Sequence, residues 1–293
     1  MLPRLFLLCL FLVSAGAEAS QSGFWCNQRF LSTTARPFDS RHLQIAQRGY
    51  MYVVAAALAL QKDDREGRAY HFGLPSRLRL VDSPKRRASG FEVKTFEMLD
   101  APDGKPIELV IAFTGSNDDT DWKDADLGND TRQYTQARQY VKAITARPEF
   151  QGLRVVVTGF SLGGALAVHV TKHRDTRNLI SETWAFNPSP RTWVGGQIDP
   201  RIWMAATAND GLHLARSFVT QLIPGMNSIG APAKQTAEGY YLLNANPVVS
   251  HYRWVLTRNM LYAADLAERM QQGNDAPTEP LEILQASHFA VCR

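Results

Sequence analysis

The chain has 293 residues, of which 45% are hydrophobic and 20% are charged, and its formal net charge is +4. This composition is close to that of globular proteins and excludes a disordered, collagen-like or disulfide-dense chain. The excess of 32 basic over 28 acidic residues is too small for the basic surface of a nucleic-acid-binding protein. We therefore expect one sizeable globular domain with no nucleic-acid partner.

The N-terminal residues have the pattern of a secretion signal. Arg4 precedes an apolar run over residues 5–13, and Ala-Glu-Ala at residues 17–19 is typical of a signal peptidase site. We therefore predict a signal peptide over residues 1–19 and a single exported domain over residues 20–293, either secreted or periplasmic. An uncleaved anchor helix is the alternative, although the run is shorter than the roughly 18 residues that span a bilayer.

Two cysteines remain after such cleavage, Cys26 and Cys292, one near each end of the exported domain. In an oxidising compartment two thiols most simply form one disulfide, which here would join the termini. Two unpaired thiols are the alternative. The sequence has no Cys-x-x-Cys pair and no Cys/His cluster with zinc spacing, and we expect no metal and no cofactor.

The predicted elements alternate along the chain in the order typical of an α/β protein. Helices are predicted over residues 41–60, 131–146, 162–172 and 251–270, and strands over residues 77–81, 91–99, 107–113, 153–158, 180–186, 202–208 and 240–243. The run over residues 107–113 is apolar enough to be buried on both faces of a sheet. The fold class is therefore α/β, with a mostly parallel central sheet covered by helices on both faces.

The most informative motif is Gly-Phe-Ser-Leu-Gly at residues 159–163, between the strand over residues 153–158 and the following helix. This is G-x-S-x-G in the strand–turn–helix context that gives the pattern its meaning. There the serine hydroxyl lies exposed on a tight turn, the glycines let strand and helix approach closely, and the N–H of Leu162 can stabilise an oxyanion. Ser161 is the predicted nucleophile, and a merely structural glycine-rich turn is the alternative.

A serine nucleophile needs a base and an acid that orients the base, and in this architecture they follow the serine in the order acid, then histidine. Asp210 follows the predicted strand over residues 202–208 and is the preferred acid, with a turn residue in Asn-Asp-Gly as the alternative. His251 follows a strand and a short loop and opens a helix, which favours it as the base. His288, four residues before Cys292, is the second candidate.

Several stretches resemble the class-3 lipases, the family of the fungal extracellular lipases, which have the α/β-hydrolase fold. The matching stretches are Ala-Phe-Thr-Gly-Ser at residues 112–116 with Asp-Trp at 121–122, Val-Thr-Gly-Phe-Ser-Leu-Gly-Gly-Ala at 157–165, Ala-Phe-Asn-Pro at 185–188, Thr-Ala-Asn-Asp at 207–210, and the helix around 50–57. The resemblance implies that Ser116 supplies the second oxyanion donor and that Trp122 lies in a lid. It also implies that Asp210 and His251 complete the triad, and fungal members share a disulfide that joins the termini.

The chain departs from the family at Phe160, where a histidine is usual, and at Thr114, where an arginine is usual. With these departures, the residues and the resemblance together predict a secreted Ser-His-Asp hydrolase of lipid carboxylic esters that works through an acyl-enzyme. Its partner would be a lipid or a small ester, with a transient contact to a lipid surface left open. A phospholipase A-type hydrolase, a catalytically silent lipid-binding protein and a serine peptidase are the alternatives.

Two charged stretches have a simpler interpretation than a binding site. Lys-Arg-Arg at residues 85–87 could contact an anionic membrane, but a solvated loop is preferred. The five aspartates within residues 117–126 lack the residue order of a calcium loop, which favours a polar surface or lid. Because Trp122 and Ala125 are nearly the only apolar residues of that segment, we expect weak activation at an oil surface.

Overall fold

A computed structural model describes residues 38–62, 69–115, 131–218, 225–242 and 246–289. The strands are β1 (Tyr70–His71), β2 (Leu78–Asp82), β3 (Val93–Leu99), β4 (Pro106–Phe113), β5 (Arg154–Phe160), β6 (Glu182–Phe186), β7 (Ile202–Thr207), β8 (Thr236–Tyr240) and β9 (His288–Phe289). The helices are α1 (Ser40–Leu60), α2 (Arg132–Thr145), α3 (Leu162–Lys172), α4 (His213–Phe218), α5 (Pro247–His251), α6 (Arg253–Gln272) and α7 (Glu279–Gln285).

A seven-stranded sheet in the order β2-β3-β4-β5-β6-β7-β8 forms the centre of these residues. The pairs β2–β3 and β3–β4 are antiparallel, whereas every pair from β4 to β8 is parallel. Parallel neighbours need crossover connections, and α2 and α3 supply two of them. The predicted α/β class with a mostly parallel sheet is confirmed.

Both faces of the sheet are apolar because successive side chains of a strand point in opposite directions. In β4, Leu109, Ile111 and Phe113 pack in one cluster with α2 and α3, whereas Val110 and Ala112 pack in another with α1 and α6. All five side chains are completely buried. The predicted layers of helices on both faces are therefore confirmed, and β4 and β5 are held rigidly at the centre.

Helix α1 lies directly on the sheet. It is capped by Asp39, whose side chain accepts a hydrogen bond from the backbone N–H of His42 (2.9 Å). Its closest approach is at Gly49, where a Cβ would lie 2.4 Å from the Trp184 ring of β6, so no side chain fits there. Among the described helices, none combines the length and the apolar composition needed to cross a bilayer.

A neutral histidine of α3 is buried where this helix packs against α2. His169 Nε2 lies 2.6 Å from an Arg138 nitrogen, and Nδ1 lies 2.8 Å from the Thr192 carbonyl oxygen. Because arginine only donates, Nε2 accepts and Nδ1 carries the proton. Burial, which the hydrogen bond to Thr192 opposes only in part, lowers the pKa of His169 to about 3. This side chain therefore stays uncharged wherever the protein is folded near neutral pH.

One predicted strand is displaced. The strand predicted over residues 240–243 lies earlier in the structure, as β8 at Thr236–Tyr240, so the predicted and observed strands share only Tyr240. Its position is decided by pairing with β7, where Met204 lies opposite Thr236. Gly239, with a φ of +114°, weakens the local strand pattern, so the sequence favoured the more apolar residues that follow.

One predicted helix is divided. The helix expected over residues 251–270 begins only at Arg253, because Tyr252 adopts an extended conformation and ends α5 at His251. The short helices α4 and α7 and the pairing of β1 with β9 were not predicted, since so few residues show no clear periodicity. The division matters for the site, because it lets α5 hold the histidine independently of α6.

Candidate active site

Ser161 connects β5 to α3 in a backbone conformation that few residues adopt. Its φ of 53° and ψ of −122° lie outside the regions favoured by L-residues. Its N–H donates to the carbonyl of Phe186 (3.0 Å), and its own carbonyl accepts from the N–H groups of Ala165 and Ser189 (3.1 and 3.0 Å). Such strain costs about 1–3 kcal/mol, persists only where the surroundings enforce it, and is concentrated at functional sites.

The glycines of the motif are required by close backbone contacts. A Cβ on Gly159 would lie 2.4 Å from the Gly163 carbonyl carbon, and a Cβ on Gly163 would lie 2.3 Å from the carbonyl oxygen of Phe113. Any side chain at either position would push the start of α3 away from β4 and β5. The spacing Gly-x-Ser-x-Gly is thus the spacing at which strand, turn and helix can touch.

A further glycine, Gly115, borders the serine from the end of β4. A Cβ there would lie 2.8 Å from the Phe160 carbonyl oxygen, 3.3 Å from the Ser161 Cβ and 3.7 Å from the Leu162 nitrogen. A residue with a side chain would therefore fill the space beside the serine and the first N–H of α3. The sequence marked Gly115 only as part of the stretch that resembles the lipases.

Leu162 is the first residue of α3, where a helix leaves its N–H groups without intrahelical acceptors. That arrangement suits the predicted oxyanion donor. The remaining predicted features fall outside the described residues, namely Ser116, Trp122, Cys26, Cys292 and the signal peptide over residues 1–19.

The candidate acid and base are in direct contact. Asp210 Oδ1 and His251 Nδ1 are 2.5 Å apart although the two residues are 41 positions apart in the chain. Asp210 lies just beyond the carboxyl end of β7, and His251 is the last residue of α5. The other candidate base, His288, is exposed and lies in β9 opposite His71.

Asn187, at the carboxyl end of β6, ties the histidine segment to the sheet. Its side-chain oxygen accepts from the N–H of Thr207 (2.9 Å), and its amide nitrogen donates to the carbonyl oxygens of Ser250 and His251 (3.4 Å each). The Thr207 hydroxyl also donates to the Ser250 carbonyl (2.6 Å). Since the N–H of Ser161 donates to the carbonyl of Phe186 at the end of β6, the candidate nucleophile and the candidate base are tied to the same strand end.

A buried ion pair completes the surroundings of the acid. Arg216 Nη1 lies 2.5 Å from Asp210 Oδ2, and the guanidinium also reaches Glu238 and the carbonyl of Pro188. Burial alone would raise the pKa of Asp210, but the hydrogen bonds and charges of His251 and Arg216 outweigh it and hold that pKa below its usual value. Asp210 is therefore ionised at neutral pH. The sequence did not single out Arg216 and marked Asn187 only as part of the stretch at residues 185–188 that resembles the lipases, because the contacts of both residues are made across strands.

Two other aspartates that follow Ser161 in the chain have different partners. Asp199 Oδ2 pairs with Arg201 (2.6 Å), and Asp175 lies among basic side chains that include Arg138 (3.7 Å). Within the described ranges there is no group of three or more His, Cys, Asp or Glu side chains that could hold a metal ion.

Residues 73–178 match the model of the family described as phospholipase-like, Tle-like phospholipase domain. The match includes Gly115 and the whole strand–turn–helix unit around Ser161, but it ends before Asp210 and His251. No curated protein sequence matches the chain.

Solved structures similar to this one include several fungal lipases. A triacylglycerol lipase from Penicillium expansum has 12% identity and a TM-score of 0.40, with 64% of this chain and 77% of that chain covered. The Lip2 lipase from Yarrowia lipolytica has 11% identity and a TM-score of 0.43, with 75% and 95% covered. Likeness at this level says nothing about the substrate of this chain. The chain is thus similar to the Tle-like phospholipase domain over residues 73–178, and the solved structures similar to it include members of the fungal lipases that its motifs resemble.

Proposed function

We propose that the chain is a serine hydrolase that cleaves carboxylic esters of lipids through an acyl-enzyme. The observation that carries this proposal is the 2.5 Å contact between Asp210 and His251 at the same end of the sheet as the strained Ser161 turn. A nucleophilic serine needs a base, and the base needs a carboxylate that fixes its tautomer. Strain at Ser161 has no structural benefit of its own, which argues against a silent lipid-binding protein.

The proposed reaction uses the same residues in both halves. Ser161 Oγ attacks the acyl carbonyl while His251 Nε2 takes the hydroxyl proton, and the N–H groups of Leu162 and Ser116 bind the oxyanion. His251 then gives the proton to the leaving alcohol, and the acyl group stays on Ser161. Water then attacks the acyl carbon as it loses a proton to His251, and His251 returns that proton to Ser161 Oγ as the bond to the acyl group breaks and the acid leaves. Throughout, Asp210 accepts a hydrogen bond from Nδ1–H of His251. Its charge stabilises the imidazolium that forms once in each half of the reaction.

A lipid substrate is supported by two observations. The match to a phospholipase-like domain includes the Ser161 turn. In addition, two exposed apolar side chains lie beside the base in sequence, Val248 (57% exposed) and Tyr252 (36% exposed). Apolar groups next to a hydrolytic site favour acyl chains and a transient contact with a lipid surface over a polar peptide. The match makes a phospholipase A-type activity the second candidate, because the same three residues serve both reactions.

The experiment combines covalent labelling with a substrate panel. We expect a fluorophosphonate probe to label the purified protein at Ser161, and p-nitrophenyl esters from acetate to palmitate and a phospholipid to be hydrolysed. Ser161→Ala should abolish labelling and lower kcat by about 10³-fold or more, and His251→Ala should do the same. Ser181→Ala, at an exposed serine, is the matched control, and His288→Ala tests the other base.

A folded protein that neither reacts with the probe nor hydrolyses any ester would overturn the proposal. Near-normal turnover in His251→Ala, together with loss in His288→Ala, would overturn the assignment of the base. Preferential cleavage of phospholipid over simple esters would favour the phospholipase A-type alternative.

We also propose that the chain is exported and loses residues 1–19, as the N-terminal pattern indicates. N-terminal sequencing of protein recovered from the periplasm or the medium should then begin at Ser20. Protein that retains Met1 and sediments with membranes would favour the uncleaved anchor instead.

A further inference from the structure

A buried arginine that the proposed reaction does not use connects the acid of the site to β8 and to the loop that follows β6. Arg216 Nη1 lies 2.5 Å from Asp210 Oδ2 and 3.1 Å from the carbonyl oxygen of Pro188, and its Nε lies 3.2 Å from Glu238 Oε1. Its side chain is only 4% exposed, and that of Asp210 is completely buried. A guanidinium is a rigid planar group, so three contacts in different directions fix its orientation.

The two oxygens of Asp210 have different partners. Oδ1 lies 2.5 Å from His251 Nδ1 and accepts from the N–H of Leu212 (3.3 Å), whereas Oδ2 accepts from Arg216. The carboxylate cannot rotate without breaking the charge-assisted hydrogen bond to the guanidinium. Arg216 therefore holds Oδ1 in the plane in which it meets the imidazole.

The same guanidinium changes the electrostatic potential at the imidazole. A carboxylate alone favours the protonated imidazolium, whereas a cation on its far side offsets part of that charge. Glu238 acts in the opposite sense, because it neutralises part of Arg216. Two further titratable side chains contact Glu238, namely His213, whose Nδ1 lies 2.9 Å from Glu238 Oε2, and His42, whose Nε2 lies 3.3 Å from the Glu238 carbonyl oxygen.

We propose that Arg216 is a positioning residue of the site, which fixes the orientation of Asp210 and offsets part of the carboxylate charge that faces the His251 imidazole. The inference rests on the proposed function, because it assigns His251 as the base. Its consequence is that the pH dependence of kcat/KM should respond to the charge at position 216. The physical reason is a charge pair in a site shielded from water, where opposite charges act more strongly than in solution.

The test measures the pH titration of the His251 imidazole by NMR, with the signal identified by its absence in His251→Gln, alongside the pH dependence of kcat/KM. In Arg216→Gln we expect the titration and the acid limb of kcat/KM to move up by about one pH unit. We also expect kcat to fall by roughly 10-fold to 100-fold, since Oδ1 is no longer held. Arg216→Lys should keep the titration near that of the wild type but not restore kcat.

A second variant keeps the test decisive should Arg216→Gln fail to fold. Glu238→Gln removes a partly exposed carboxylate that neutralises Arg216, so the His251 titration should move in the opposite direction, to lower pH. Arg79→Gln is the matched control. It removes the same charge and breaks an ion pair with the largely buried Glu97 on the far edge of the sheet, and it should leave the titration unchanged.

An unchanged His251 titration in both Arg216→Gln and Glu238→Gln would overturn the inference, even if kcat fell, because a purely structural role predicts that result. A failure of the proposed function has a different signature. The wild type would then hydrolyse no ester, while the titration shifts would still report the contact among Arg216, Asp210 and His251.

Discussion

Replacing Gly115 with alanine tests the space beside Ser161, the proposed nucleophile. The new Cβ would lie 2.8 Å from the Phe160 carbonyl oxygen, closer than real Cβ contacts, and 3.3 Å from the Ser161 Cβ. Both neighbours belong to the strained turn, so relief of the clash must move the turn or the end of β4. The methyl group would also lie 3.7 Å from the Leu162 nitrogen, the proposed oxyanion donor.

Two effects of different size follow from this geometry. Overpacking of a close backbone contact costs about 1–3 kcal/mol of unfolding free energy. Loss of one oxyanion donor lowers kcat by about 10²- to 10³-fold. Gly115→Ala should therefore remain folded but lose activity far beyond what its lower stability explains.

The assay is kcat on p-nitrophenyl butyrate together with urea unfolding. Gly73→Ala is the matched control, because a Cβ there lies 3.5 Å from the Ala286 carbonyl oxygen and makes ordinary contacts. The control should keep both activity and stability near the wild type. Turnover of Gly115→Ala within two-fold of the wild type would refute the placement of the oxyanion beside this glycine.

Three further predictions follow from residues away from the serine. Below pH 6.5 the His169 imidazole binds a proton in the unfolded chain but not in the folded protein, where it is buried. The free energy of unfolding of the wild type should therefore fall by about 2 kcal/mol between pH 7 and pH 5, and His169→Gln should not show this loss. Equal losses for both proteins in urea unfolding would contradict this. A Cys26–Cys292 disulfide should stabilise the chain by roughly 4–5 kcal/mol, and non-reducing peptide mapping should recover one linked pair rather than two alkylatable thiols. Hydrolysis of tributyrin should rise smoothly through its solubility limit, because the segment around Trp122 offers little apolar surface; a sharp rise once droplets form would indicate another apolar lid.

The sequence alone was enough for the features whose causes are local. Alternating apolar strands and helices predicted the class, and the helix over residues 162–172 was predicted with the bounds it has. The motif around Ser161 was recognisable because each glycine is required by a close backbone contact, either within a few residues or with the adjacent strand. Local patterns of this kind depend on backbone geometry that neighbouring residues impose on one another.

The order of residues along the chain reduced the number of candidates for the acid and the base. Only the tertiary structure shows that Asp210 Oδ1 contacts His251 Nδ1. The same holds for Arg216, which lies in a helix too short to show periodicity and reaches the acid, β8 and the loop after β6 at once. Likewise β8 takes its position from pairing with β7 and not from its own apolar pattern. These features depend on free energy gained between segments far apart in the chain, when polar groups lose water and must find partners in the fold. Local sequence patterns do not reveal this gain in free energy, so these contacts became visible only in the tertiary structure.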